Sequence, residues 1–177
     1  MNEWSSLIDK FSLISKYVWF GDNKRERKRI FEFRHSLPEK INDFLRHYSQ
    51  TKLSVDAAVP PQFLREMYFF YKDNAKEINV FFVNFGHIGE NHLHFNFLPR
   101  SNDEHAKAEK MVALFIKKAV SLGGTVSAEH GIGKLKRKYL KMMYKEKEIK
   151  QMVDLKSYFD PKFLLGRHNI FNCDFNL

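Results

Sequence analysis

The chain has 177 residues, 44% of them hydrophobic and 18 of them Phe, enough to bury a proper core and to fit one domain. With 30 Lys and Arg against 21 Asp and Glu its net charge is +9, which permits nucleic acid, anionic lipid or a carboxylate substrate as partner without choosing among them. The one cysteine, Cys173, excludes an internal disulfide framework and a thiolate metal cluster, and no apolar run approaches the roughly 20 residues of a membrane span.

The opening "MNEWSSLIDK" carries an acid early and no long apolar stretch, so a signal peptide is not expected. A reducing, cytoplasmic setting is expected, with membrane contact confined to the inner face and peripheral. Leu7, Ile8, Phe11, Ile14 and Val18 recur at helical spacing. After Gly21 the basic run "DNKRERKRIFEFRH" reads as helical or extended. "SLPEKINDFLRHY" then carries a helix-start signature, with Ser36 as N-cap, Pro38 in the first turn and Glu39 at the capping-box position. Residues 1–50 are thus expected to form a helical N-terminal segment packed on a domain comprising residues 51–177.

From Lys52 the rhythm changes. "KLSVDAAV" predicts a strand, "PQFLREMYFFYKD" a helix, "INVFFVNF" and "HLHFNFL" two strands around "HIGEN", "SNDEHAKAEKMVALFIKKAVSLGG" a long helix, and "TVSAEH" a short strand. The order βαββαβ predicts an α+β fold, a ferredoxin-like antiparallel sheet with helices on one face, extended by N- and C-terminal helices. Two further helices, "KLKRKYLKMMY" and "EKEIKQMVDLKSYF", precede a stop at Asp160-Pro161.

The segment "FGHIGENHLHFNF" concentrates the chemistry. Alternation along a strand puts His92, His94 and Asn96 on one face and Leu93, Phe95 and Phe97 on the other. His87 falls across the turn, where cross-strand side chains lie about 5 Å apart, close enough for two imidazoles to share a metal. "SAEHGIG" offers Glu129 and His130 as further ligands at a glycine-rich turn. Against this stands the ordinary role of a strand histidine as a satisfied or solvated side chain; outside the cluster, His105 in a charged helix and His35, His47 and His168 read as ordinary surface or packing residues.

These segments resemble a known family. "FGHIGENHLHFNFLP" is similar to its GHxGDGNxH segment, "GGTVSAEHGIGKLKRKYL" to GGTxSxEHGIGxxK, "KLSVDAAVP" to its Lys-Asp-Val-Pro strand, and "FDPKFLL" to a late Phe-Asp-Pro-Lys segment. Over roughly Arg34 to Ile170 the chain resembles the C-terminal, substrate-side domain of FAD-linked oxidases of the vanillyl-alcohol oxidase superfamily. That group contains D-lactate dehydrogenase, the glycolate oxidase subunit and D-2-hydroxyglutarate dehydrogenase. The resemblance implies metal ligands at His87, His94 and Glu129, a base or substrate contact at His130, and substrate-side residues at Arg34, Lys52 and Asn96. The implied cofactors are FAD and a divalent metal such as zinc; no residue of this chain is assigned to FAD. The implied reaction is oxidation of a 2-hydroxy acid.

Two departures are visible: Glu90-Asn91-His92 replaces the family's Asp-Gly-Asn, and "GRHN" replaces its late Asn-Pro-Gly-Lys. A glycine-rich flavin-binding domain is expected on another polypeptide, and little FAD binding by this chain alone. Two other readings compete: a non-catalytic module that retains a metal or carboxylate site, and a nucleic-acid binder suggested by "KRERKR" and "KLKRKYLK". The second of these lacks any recognised motif.

Overall fold

The computed structural model describes residues 2–10 and 17–171. The chain divides into two compact units, Met1–Phe44 and Leu45–Leu177. Helix α1 covers Asn2–Asp9 in the first, and helix α2 runs from Lys24 to His47, its residues from Leu45 onward belonging to the second. The expected helix positions Phe11 and Ile14 lie outside the described residues.

Helix α2 corrects the expected start at Ser36. Asn23 caps it instead, its Oδ1 accepting the N–H of Glu26 at 3.0 Å. The basic run consists of good helix formers, aided by the Lys28–Glu32 pair at i,i+4. Pro38 therefore sits inside the helix, where it supplies no N–H for the carbonyl of Arg34. Ser36 turns its hydroxyl back to the Phe33 carbonyl at 2.8 Å.

The second unit is built on β1 (Leu53–Ala58), β2 (Phe82–His87) and β3 (His92–Phe97), an antiparallel sheet in the order β1-β3-β2. A 3₁₀ turn at Pro61–Phe63 leads into α3 (Leu64–Glu77), and a second at Ile88–Glu90 closes the β2–β3 hairpin. Asn91, at φ 54, takes the left-handed position that this turn needs and that Asn tolerates. Helix α4 (Asn102–Ser121) is capped by Ser101, which accepts the N–H of Glu104 at 3.2 Å. It buries Ala108, Met111, Val112, Phe115, Ile116 and Ala119.

Helices α3 and α4 lie on one face of the sheet. There Phe115 meets Tyr71, Phe95 and Phe97 with ring centroids 4.7, 5.3 and 5.8 Å apart. The α+β architecture, an antiparallel sheet with helices on one face, is therefore as the pattern predicts.

The "TVSAEH" strand is the exception. Thr125 N–H and Ala128 N–H bond the carbonyls of Ala58 and Asp56 at 2.9 and 2.6 Å, so this segment begins to run along β1. No regular strand develops, because the next contacts to β1 go to a side chain, Asp56, and Gly131 and Gly133 turn the chain away at φ 71 and 53. Helices α5 (Arg137–Met143) and α6 (Glu146–Phe159) follow. Helix α6 stops where the Asp160 carboxylate takes the N–H groups of Leu164 and Leu165 at 3.0 and 2.9 Å. Among the described residues, no helix is long and apolar enough to cross a membrane.

Candidate functional site

The sheet's other face carries the polar residues. Register places Asp56 beside His94, Ser54 beside Asn96, and His92 between Ala58 and His87. Strand alternation does the sorting, since β3 sends its phenylalanines into the helical layer and its histidines the opposite way. Gly86 lets β2 lie close to β3: a Cβ there would stand 2.4 Å from the His92 carbonyl oxygen.

The turn after Val126 brings Glu129 and His130 over this face. Glu129 Oε1 lies 2.9 Å from His94 Nε2, 3.5 Å from His130 Nε2 and 3.8 Å from His87 Nε2. His94 and His130 stack with ring centroids 4.9 Å apart. His94 is buried, while the side chains of His87, Glu129 and His130 keep 39%, 44% and 51% of their exposure, so the cluster is anchored inside and open outside.

Beneath it Asp56 is fully buried. Its Oδ2 accepts from Ser127 Oγ at 2.6 Å, Lys136 Nζ at 2.8 Å and the N–H of His130 at 2.9 Å. Its Oδ1 accepts from His92 Nε2 at 2.8 Å. Burial on its own would raise the Asp56 pKa. The hydrogen bonds from Lys136, Ser127 and the His130 backbone, with the Lys136 charge, outweigh it and hold the carboxyl well below the usual range. His94 is shifted down, first by burial and then by the neighbouring His92 and His130 rings, against the pull of Glu129 and Asp56.

The donor set suits a divalent metal. Ligand bonds of about 2.0–2.2 Å in a tetrahedral site space the donor atoms about 3.3–3.6 Å apart, close to the separations around Glu129 Oε1. His94 Nδ1 is buried without a hydrogen-bond partner, 3.8 Å from Asp56 Oδ1. With Nε2 on a metal, the ring proton would move to Nδ1 and face that carboxylate, the arrangement that metal-bound histidines favour. Among the described residues, the set whose ligand atoms all lie within 4.8 Å of one another is Asp56, His92, His94 and Glu129, without His87. Asp56 already receives a donor from each of His92, Ser127, His130 and Lys136.

Of the expected site residues, the structure gathers His87, His94, Glu129 and His130. Asn96 borders them, its Oδ1 accepting from Ser54 Oγ at 2.6 Å. His92 turns to Asp56. Lys52 is exposed, one residue before β1, and Arg34 is exposed on α2 within the first unit. Asp56, Ser127 and Lys136 were not foreseen as site residues. An aspartate inside the apolar run "SVDAAV" was the available signal for the first, whereas Lys136 is one lysine among several in "GKLKRK".

The sequence matches the family of FAD linked oxidases, C-terminal domain, over residues 8–170. The chain belongs to that family. This FAD-linked oxidase domain is 35% identical over 126 residues to "Glycolate oxidase subunit GlcD" of Bacillus subtilis, covering 70% of this chain and 27% of that protein. It is 33% identical over 144 residues to "D-2-hydroxyglutarate dehydrogenase" of Stutzerimonas stutzeri, covering 76% and 30%. Against "D-lactate dehydrogenase" of Archaeoglobus fulgidus it is 29% identical over 149 residues, covering 84% and 32%. The domain thus spans about a third or less of the length of these relatives.

Proposed function

We propose that this domain is the substrate side of an FAD-dependent 2-hydroxy-acid dehydrogenase of the D-lactate dehydrogenase type, the FAD being held by a partner flavin-binding domain. The observation that carries this reading is the convergence of the His87, His94 and His130 Nε2 atoms on one carboxylate oxygen of Glu129, on the face of the sheet away from α3 and α4. When bound, a divalent metal held by His87, His94 and Glu129 would polarise the substrate hydroxyl, and the flavin would accept hydride.

His130 supplies the base. Its Nε2 lies beside the ligand group while its Nδ1 faces Asp56 Oδ1 at 3.7 Å, so a proton taken from the alcohol at Nε2 leaves an imidazolium facing a buried anion. Asn96 is assigned a hydrogen bond to the substrate. Lys52, by strand parity, belongs to the face of Ser54 and Asp56 and is assigned the substrate carboxylate.

Two measurements test the proposal. Zinc titration of the purified chain should give one tight site that His94→Ala removes. Adding a 2-hydroxy acid to the chain together with its FAD-binding domain should bleach the flavin absorbance, and omitting either component should abolish this. Metal binding with no turnover in the reconstituted pair would favour a binding module instead, and stoichiometric FAD in the isolated chain would contradict the assignment of the flavin to a partner.

A further inference from the structure

We infer that the second unit carries a further binding site, for a medium-chain alkyl carboxylate, in a cleft between α5 and α6. The cleft holds about 390 Å³, a size that suits a small ligand. Its walls are hydrocarbon: Leu140 on α5, Ile149 and Val153 one turn apart on α6, and Phe171. Leu140 and Phe171 are buried, so the apolar surface lies inside the cleft rather than at its rim. Arg137, Lys138 and Lys141 line the same cleft from α5, and no acidic residue lines it. It shares no residue with the cluster of His87, His94, Glu129 and His130, and its occupancy requires neither metal nor flavin.

The cations define the polar end of the ligand. Lys138 is already paired with Glu109 at 2.5 Å. Arg137 donates Nη1 to the carbonyls of His168 and Phe171 at 3.1 and 3.4 Å, neutral acceptors that fix the guanidinium without cancelling its charge. Neither Arg137 nor Lys141 has a carboxylate partner among the described residues. A guanidinium anchored at one nitrogen is oriented in advance, and its remaining N–H groups keep the fork that matches a carboxylate. An oriented cation beside hydrocarbon calls for an amphipathic anion, its carboxylate at Arg137 and Lys141 and its alkyl chain over Leu140, Ile149, Val153 and Phe171. Inorganic phosphate would meet the cations and leave the apolar walls wet, whereas a neutral alcohol would cover the walls and leave the charge uncancelled.

The test is calorimetric titration of the full 177-residue chain, in EDTA, with straight-chain carboxylates from butyrate to octanoate below their micelle concentrations. One ligand per chain is expected, with affinity rising by up to about fourfold per added methylene until the cleft is full. Octanol, which keeps the chain and loses the charge, should bind at least about tenfold more weakly than octanoate. Arg137→Met should lower octanoate affinity by about tenfold or more. Because Arg137 also holds two carbonyls, Lys141→Gln serves as the second charge probe and should lower it about two- to fivefold. Val153→Trp puts an indole into the cleft and should abolish binding, with circular dichroism confirming that the variant is folded. His94→Ala should leave octanoate affinity unchanged. No saturable binding by the parent, an affinity independent of chain length, or octanol binding as well as octanoate would overturn the proposal. So would binding that survives in a folded Val153→Trp or disappears in His94→Ala, since the carboxylate would then sit elsewhere. If Val153→Trp fails to fold, the chain-length series and the octanol comparison decide.

Discussion

Lys136→Met is the sharpest probe of the buried polar network. Methionine keeps most of the lysine stem and deletes the ammonium that stands 2.8 Å from a carboxylate with no solvent exposure. Removing one partner of a buried ion pair costs about 3–5 kcal/mol, because the other charge is left uncompensated. Asp56 retains Ser127, His92 and the His130 N–H, which favours the lower end, about 3 kcal/mol. Folded domains stand only about 5–15 kcal/mol above their unfolded state. At about 2–4 °C per kcal/mol for this chain length, Tm should fall by roughly 6–12 °C.

The pH dependence has a definite sign. Asp56 has a depressed folded pKa, so its stabilisation is fully present above the unfolded value of about 3.9 and is lost as pH falls through the folded value. Without Lys136 that folded value rises, and the variant relieves its stranded charge by protonating earlier. The stability gap should be widest near neutrality and should narrow below about pH 4. Thermal and urea unfolding in EDTA, followed by circular dichroism across that range, measures it. A neutral-pH loss below about 0.5 kcal/mol, or a gap that widens in acid, would refute the reasoning.

Other substitutions separate sheet geometry, core and site. Gly86→Ala places a methyl 2.4 Å from the His92 carbonyl oxygen, so β2 must shift; about 1–3 kcal/mol of destabilisation and weaker zinc binding through His87 are expected, readable by urea titration and calorimetry. Phe115→Ala empties a fully buried site among four other aromatic rings, Phe70, Tyr71, Phe95 and Phe97, and should cost about 3–5 kcal/mol by the same denaturation assay. Glu129→Gln keeps shape and exposure but removes the anion on which three imidazoles converge; it should leave Tm within a few degrees in EDTA while lowering zinc affinity at least tenfold.

What could be read in the sequence was whatever rests on period. The phenylalanines of β3 and the stripe from Ala108 to Ala119 repeat at two and at three to four residues, so their faces follow from backbone geometry alone. The pairing of His87 with the β3 histidines likewise needs only a hairpin. The helix boundary at Ser36 misled because a Ser-x-Pro-Glu pattern fits a cap equally well when a longer helix, already nucleated at Asn23, runs through it. The fourth strand misled because its residues have strand character, yet only Thr125 and Ala128 bond the β1 backbone before the Ser127 hydroxyl and the His130 N–H turn to the Asp56 side chain.

Asp56 and Lys136 show where periodicity ends. They stand 80 residues apart, and nothing local distinguishes this lysine from its neighbours in a basic run. Their meeting depends on β1 lying beside the turn, on Gly124 abutting the Ala58 carbonyl, where a Cβ would stand 2.3 Å away, and on the glycines at 131 and 133 turning the chain. The ligand candidates could be foreseen because imidazoles and carboxylates are scarce and chemically marked. Their support could not, because it uses common residues whose function lies wholly in their placement. His92 belongs with that support: its Nε2 spends its donor on Asp56 Oδ1 at 2.8 Å, inside the buried network and not on the open side of the cluster.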